Sequence, residues 1–303
     1  MDIIPINPSL PSPAVPSLKP PTTFEEQILL LESRGIVVSD RAKAIKILST
    51  LNYYRFSAYA LTFKADDRYV AGTSFDLLFR HYEFDRKLRL LFMEIIEPIE
   101  IAFRTHNAYL IAHTYGSEGH KEALNFKRND FHASFLKELN DALQKSSKDL
   151  FIKHHIDHYN NRFPVWVALE VATIGMISKL FANMKTKDKK KISRDYYSGT
   201  SHKEIENWLK CITVLRNKCA HYSRLFNCTF PHAIKLPKGY DAFISENSKL
   251  IGLIISIKHL TKDSYWNIWS IKFLALIEEF HEIDITHLGL VGAWRSIFAQ
   301  AKP

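Results

Sequence analysis

At 303 residues, with 46% hydrophobic and 24% charged side chains, the chain has the composition of an ordinary globular protein and can bury a substantial core. No apolar run reaches the roughly 18 residues a membrane helix needs, the first residues lack the pattern of a secretion signal, and three cysteines without a CxxC pair argue against a disulfide framework or zinc ribbon. Reduced thiols in the cytoplasm are the default expectation, and the net charge of +9 favours a polyanionic partner, nucleic acid before an acidic protein surface.

Seven of the twelve prolines fall within residues 5–21, so residues 1–22 read as an extended arm that holds neither helix nor central strand. From 23 to 303 the apolar spacing is helical almost throughout, and we expect one all-α domain with residues 231–303 as a helical extension packed on it. "TTFEEQILLLESRG" has the marks of a capped helix, with Thr23 three residues before Glu26 and Gly35 after the run. In the next segment, Tyr53, Tyr54, Phe56, Tyr59 and Phe63 form an aromatic cluster. Such rings can stack on bases, but helical spacing makes core the preferred reading.

Residues 75–113 read as a long helix containing Pro98. At 100° per residue, Leu88, Phe92, Ile95, Ile99 and His106 share one face. Arg86, Arg89, Glu97, Glu100 and Arg104 fall opposite, the pattern of a solvated, self-paired face in which Glu100 and Arg104 stand at i,i+4, or of a face packed against a polar site. Further helices are expected at 131–146, 165–184, 202–222 and 264–280, with an irregular stretch over 225–262. No Gly-rich phosphate loop or nucleophile elbow occurs, and ten glycines suit a helical bundle better than a dinucleotide fold.

Three clusters carry candidate chemistry. In "HHIDH" at 154–158, His154 and His158 have a spacing that can share one metal, but no third ligand and no HExxH glutamate accompany them. They read as surface histidines, and no metal or other cofactor is expected. "KTKDKKKISR" carries Lys185, Lys187, Lys189, Lys190, Lys191 and Arg194. This run is either a solvated loop or a phosphate-tracking RNA patch. The third cluster is "TVLRNKCAHYSRLFN" at 213–227. Projected from Ile205, the apolar stripe of Trp208, Leu209, Ile212, Leu215 and Cys219 contains Arg216, about 20° from Ile205. A guanidinium there requires a carboxylate or a seam where an anion arrives. Asn217 and His221 lie at i,i+4, away from that stripe. On spacing alone, a buried Arg–carboxylate pair plus a surface histidine accounts for the pattern.

"LRNKCAHYSRLFN" resembles the R-x4-H signature of HEPN ribonuclease domains, in the form carried by the bacterial abortive-infection (AbiD/AbiF-like, Abi-like) proteins. Three further stretches, 31–63, 75–116 and 163–184, are similar to that family in the same order, so the resemblance covers roughly residues 24–230. It implies an all-helical bundle of HEPN type, metal-independent RNA cleavage and a role as a toxin in antiphage defence, and it suggests restraint by a small RNA. By motif, Arg216 and His221 become the catalytic pair, with Asn217 as their polar neighbour. Many relatives carry a second histidine after the motif histidine, where this chain has Tyr222. Arg86, Glu97, Glu100, Arg104 and Tyr222 become supporting positions, one of the glutamates orienting Arg216.

The chemistry suits these residue types. RNA carries its own nucleophile, the 2′-OH, and an imidazole that titrates near neutrality can accept or donate the proton. An arginine can hold the phosphate and stabilise its developing charge. A 2′,3′-cyclic phosphate end is the expected product. One motif supplies one imidazole per chain, and the family pairs two domains at one cleft, so a homodimer with a composite site is expected. The alternative is a non-catalytic RNA-binding or interaction protein in which the motif only structures an interface.

Overall fold

The computed structural model describes residues 18–66, 68–240, 246 and 248–299. Among them are thirteen α-helices, several 3-10 turns and one hairpin of two-residue strands, so the expected all-α class holds. The chain divides into two compact units, Met1–Leu78 and Phe79–Pro303. Most of the expected proline-rich arm lies outside the described residues; 18–22 are exposed and carry no regular structure.

In the first unit, α1 (Phe24–Ser33) starts from the anticipated capping box. The Thr23 hydroxyl accepts from the Glu26 amide at 3.1 Å, and the Glu26 carboxylate accepts from the Thr23 amide at 2.7 Å. Gly35, at φ 98°, turns the chain out of the helix. Asp40 then caps α2 (Arg41–Leu48) and Asn52 caps α3 (Tyr53–Ala60). The aromatic cluster divides: Phe56 and Tyr59 are buried, whereas Tyr54 is exposed rather than core. The hairpin follows, β1 (Lys64–Ala65) antiparallel to β2 (Arg68–Tyr69), with Lys64 opposite Tyr69 and Ala65 opposite Arg68.

The long helix α4 (Phe75–Tyr115) passes through Pro98 without interruption. Its apolar face is buried at Leu88, Phe92, Ile95 and Ile99, as the periodicity required. On the opposite face the packed reading holds over the solvated one at three positions: Arg89 and Glu100 are buried, and Arg104 is half-buried. After α4 come α5 (Asn129–Lys145) and α6 (Leu150–Tyr159). The helix expected over 165–184 breaks into α7 (Val165–Ala168), a 3-10 turn and α8 (Ile174–Asn183), the last capped by Thr173.

Two further expectations fail for physical reasons. The lysine run is not a loop but part of α9 (Thr186–Tyr196), whose inward face is Asp188, Lys189, Ile192 and Ser193. The stretch taken as irregular contains α11 (Leu250–Leu260), apolar on nearly every side and therefore without amphipathic period. Between them runs α10 (His202–Ala220), packed on α8, α9 and α11. Then α12 (Asp263–Glu279) lies against α4, where the Trp269 indole N–H donates to the Leu91 carbonyl at 2.8 Å. Trp266, Trp269 and Trp294 are core, and α13 (Ser296–Ala299) ends the described chain.

Candidate active site

The stripe Ile205, Trp208, Leu209, Ile212, Leu215 and Cys219 of α10 is fully buried, and this fixes the direction in which every other side chain of the helix points. Arg216, at the edge of that stripe, turns towards α4. Its Nε lies 3.8 Å from Glu100 Oε2, and its side chain remains 31% exposed. The Nε atom is buried and has no hydrogen-bond partner. Glu100 is already engaged, because Oε1 accepts from Arg104 at 2.6 Å. Arg104 also donates through Nε to the Ala172 carbonyl at 2.9 Å, at the break between α7 and α8. Two guanidinium groups therefore share one carboxylate, leaving an excess of positive charge and an unsatisfied donor at the end of α10. Such a pair can accept an oxyanion.

Asn217 and His221 are exposed on the other side of the helix end. Their position is set by how α10 stops. The His221 amide still donates to the Asn217 carbonyl at 2.9 Å, the Tyr222 amide to Cys219 at 3.1 Å and the Ser223 amide to Lys218 at 2.8 Å. The last two bonds are the paired reversals of a Schellman motif, in which the C′ residue adopts the left-handed conformation. That residue is Tyr222, at φ 57° and 68% exposed. It holds the place normally taken by glycine.

The reversed chain is then pinned to α4. Asp85, with no exposed surface, accepts from the amides of Leu225 at 3.0 Å and Phe226 at 2.8 Å. It also accepts from Arg89 Nη1 at 2.5 Å, and Arg89 is only 4% exposed. As the chain advances from Arg216 to Leu225, its partners on α4 retreat from Glu100 to Asp85, so the two run antiparallel here. Asp85 is the structural residue that sequence reasoning missed, and it is the partner that lets Arg89, already placed on the charged face, turn inward. Their i,i+4 spacing was visible in "FDRKLRL", but nothing local showed that the pair faces inward.

The other candidates scatter. Arg86 pairs with Glu83 at 3.0 Å, and Glu97 is exposed; neither contacts Arg216. In the lysine run, Lys191 and Arg194 both pair with Asp195, at 2.6 and 3.0 Å. Lys185 and Lys187 lie over the Tyr115 ring, whose hydroxyl donates to Asp188 at 2.7 Å. Lys189 is buried and bonded to Glu206 at 2.6 Å, and Lys190 is exposed. His154 and His158 sit exposed on α6, their rings 4.8 Å apart. Among the described residues no group of three or more His, Cys, Asp or Glu side chains has the arrangement to hold a metal ion. The thiols of Cys211 and Cys219 are pushed up to about 11 and about 12 by burial, which keeps them protonated and unreactive. No described helix is long and apolar enough to cross a membrane.

A family model described as Abi-like protein matches residues 46–227, well over half of the chain, and the chain belongs to that family. No curated protein and no solved structure matches it.

Proposed function

We propose that this Abi-like protein is a metal-independent endoribonuclease of HEPN type, acting as a toxin in abortive-infection defence against phage. The observation that carries the reading is the end of α10. There Arg216, with an unsatisfied buried Nε, shares Glu100 with Arg104 while Asn217 and His221 stand in solvent within one turn. In this reading a substrate phosphate meets the part of the Arg216 side chain that remains in solvent, and Arg216 stabilises charge as it builds on the phosphate oxygens. His221 takes the proton of the 2′-OH or delivers one to the leaving 5′-oxygen. The 2′-oxygen bonds to phosphorus as the 5′-oxygen bond breaks, leaving a 2′,3′-cyclic phosphate and a 5′-hydroxyl.

Glu100 is the positioning group in this scheme: it holds Arg216 and Arg104 side by side without neutralising both. A single imidazole per chain suits a homodimer in which two such helix ends face one RNA strand. A small RNA that occupies the same surface would restrain the toxin.

The test is expression of the wild type beside Arg216→Ala and His221→Ala, with folding checked by circular dichroism. Growth arrest and RNA cleavage should fall by about 100-fold or more in both variants, the scale of losing an acid–base group or an oxyanion donor. Unchanged toxicity with intact folding would leave a non-catalytic RNA-binding or interaction protein. Cleavage products should resist EDTA and carry cyclic phosphate ends; 3′-hydroxyl ends would overturn the mechanism.

A further inference from the structure

Lysines far apart in sequence converge beside α10. An open groove of about 810 Å3 is lined by Lys127, Lys189, Lys190, Lys203, Lys210 and Lys235, together with His202 and one carboxylate, Glu206. Glu206 is spoken for, since it bonds Lys189. Among the described residues, no carboxylate comes within ion-pairing distance of Lys127, Lys190, Lys203, Lys210 or Lys235. Burial together with Lys189, Lys190 and Lys127 holds His202 below the ordinary histidine value, and burial with Lys189 depresses Lys127.

The walls of the groove are fixed in place. Asn207 clamps the segment opposite α10, its amide nitrogen donating to the Ala233 carbonyl at 3.1 Å and its oxygen accepting from the Lys235 amide at 2.8 Å. The Trp208 indole donates to the Lys235 carbonyl at 2.5 Å. On the far side the Lys127 amide donates to the Asn183 carbonyl at 2.9 Å, next to the bridge between Phe126 and Met184. Like charges are thus held together by backbone and side-chain bonds. A site built in this way pays little ordering cost when an anion enters.

We propose that this groove binds the phosphate backbone of an RNA strand and leads it to the end of α10. The inference rests on the nuclease reading for what happens at that end, but not for the binding itself. At 100° per residue, Lys203, Lys210, Asn217 and His221 fall within about 40° on one face of the helix. Lys210 and Lys203 precede His221 by about 16 and 27 Å along the axis. A strand seated on the lysines therefore runs along the same face to the exposed imidazole. The lining favours RNA over an acidic protein: apart from Ala182 it offers no apolar side chain, whereas protein partners need an apolar anchor at the centre of the contact. Lysine point charges on a backbone give grip without sequence preference.

Fluorescence anisotropy with a short labelled single-stranded RNA tests this, in a His221→Ala background so that the probe stays intact. Adding Lys190→Ala, Lys203→Ala and Lys210→Ala together should weaken binding about tenfold or more and lower the slope of log affinity against log salt by about 2. Lys191→Ala with Arg194→Ala, which removes charges paired to Asp195 outside the groove, should change affinity less than about twofold. The proposal fails if the triple variant binds as the parent does. It fails equally if the control pair loses as much, or if a poly-glutamate peptide binds the groove more tightly than the RNA. Binding is read without cleavage, so continued cleavage by Arg216→Ala would sink the nuclease reading and leave the groove to be decided by anisotropy.

Discussion

Tyr222 occupies a backbone position that an L side chain visits at a cost of about 1–2 kcal/mol, through the close approach of Cβ to the following carbonyl. The Schellman bonds around it and the pinning of Leu225 and Phe226 hold it there. Tyr222→Gly removes the clash, offset in part by the extra freedom of glycine in the unfolded chain, and should stabilise the protein by up to about 1 kcal/mol. A urea midpoint that rises with an unchanged m-value would show it. Strain of this kind persists where the surrounding structure over-determines the backbone, and it concentrates at functional sites. If the proposed nuclease uses the exposed phenol ring beside His221 to meet a base, the same variant should cleave RNA more slowly while unfolding later. A variant both more stable and fully active would show that the ring is incidental.

Between elements, the site depends on a charge that faces inward. Asp85 joins α4 to the chain after α10 by satisfying two backbone amides and a buried arginine at once. Asp85→Ala leaves Arg89 without its carboxylate and two amides without acceptors, and should cost about 3–5 kcal/mol, measured by chemical denaturation. This is also where the sequence was hardest to read. The apolar face of α4 and the stripe of α10 were legible because periodicity reports which face is buried. Periodicity ranks charged residues as outward, so it placed Arg89 and Glu100 in solvent, whereas paired charges can be buried when every partner is supplied. The same rule hid α9, whose inward Lys189 is neutralised by Glu206 of the next helix, and α11, which is buried all round and shows no period. At the site itself, the oddity of Arg216 could be seen from spacing. Its carboxylate, Glu100, lies 116 positions away in the chain on α4, and only the tertiary fold brings them together.

At the scale of the larger unit, stability should depend on keeping two histidines neutral. His120 is buried at the turn after α4, and His106 is half-buried against the stacked ring of Tyr196. Burial lowers both to about 4, with the charge of Lys121 adding to the effect at His120 and that of Lys262 at His106. In the unfolded chain an imidazole titrates near 6.5, so between about pH 6.5 and about pH 4 the unfolded state binds more protons than the native one. Their contribution is therefore complete above pH 6.5 and is lost on acidification down to about pH 4. For His120 the loss is on the order of 2–3 kcal/mol across that window; for His106, which solvent partly screens, it is smaller. Glu118, held down to about 2 by Arg162 and Lys121, acts in the same direction only at lower pH, and its exposure makes that contribution slight. Urea titrations at neutral pH and near pH 5 should show the midpoint falling with acid, and the double variant His106→Gln, His120→Gln should flatten that dependence whatever it does to stability at neutral pH. A wild-type midpoint independent of pH over this range would mean that both rings are solvated in the native state.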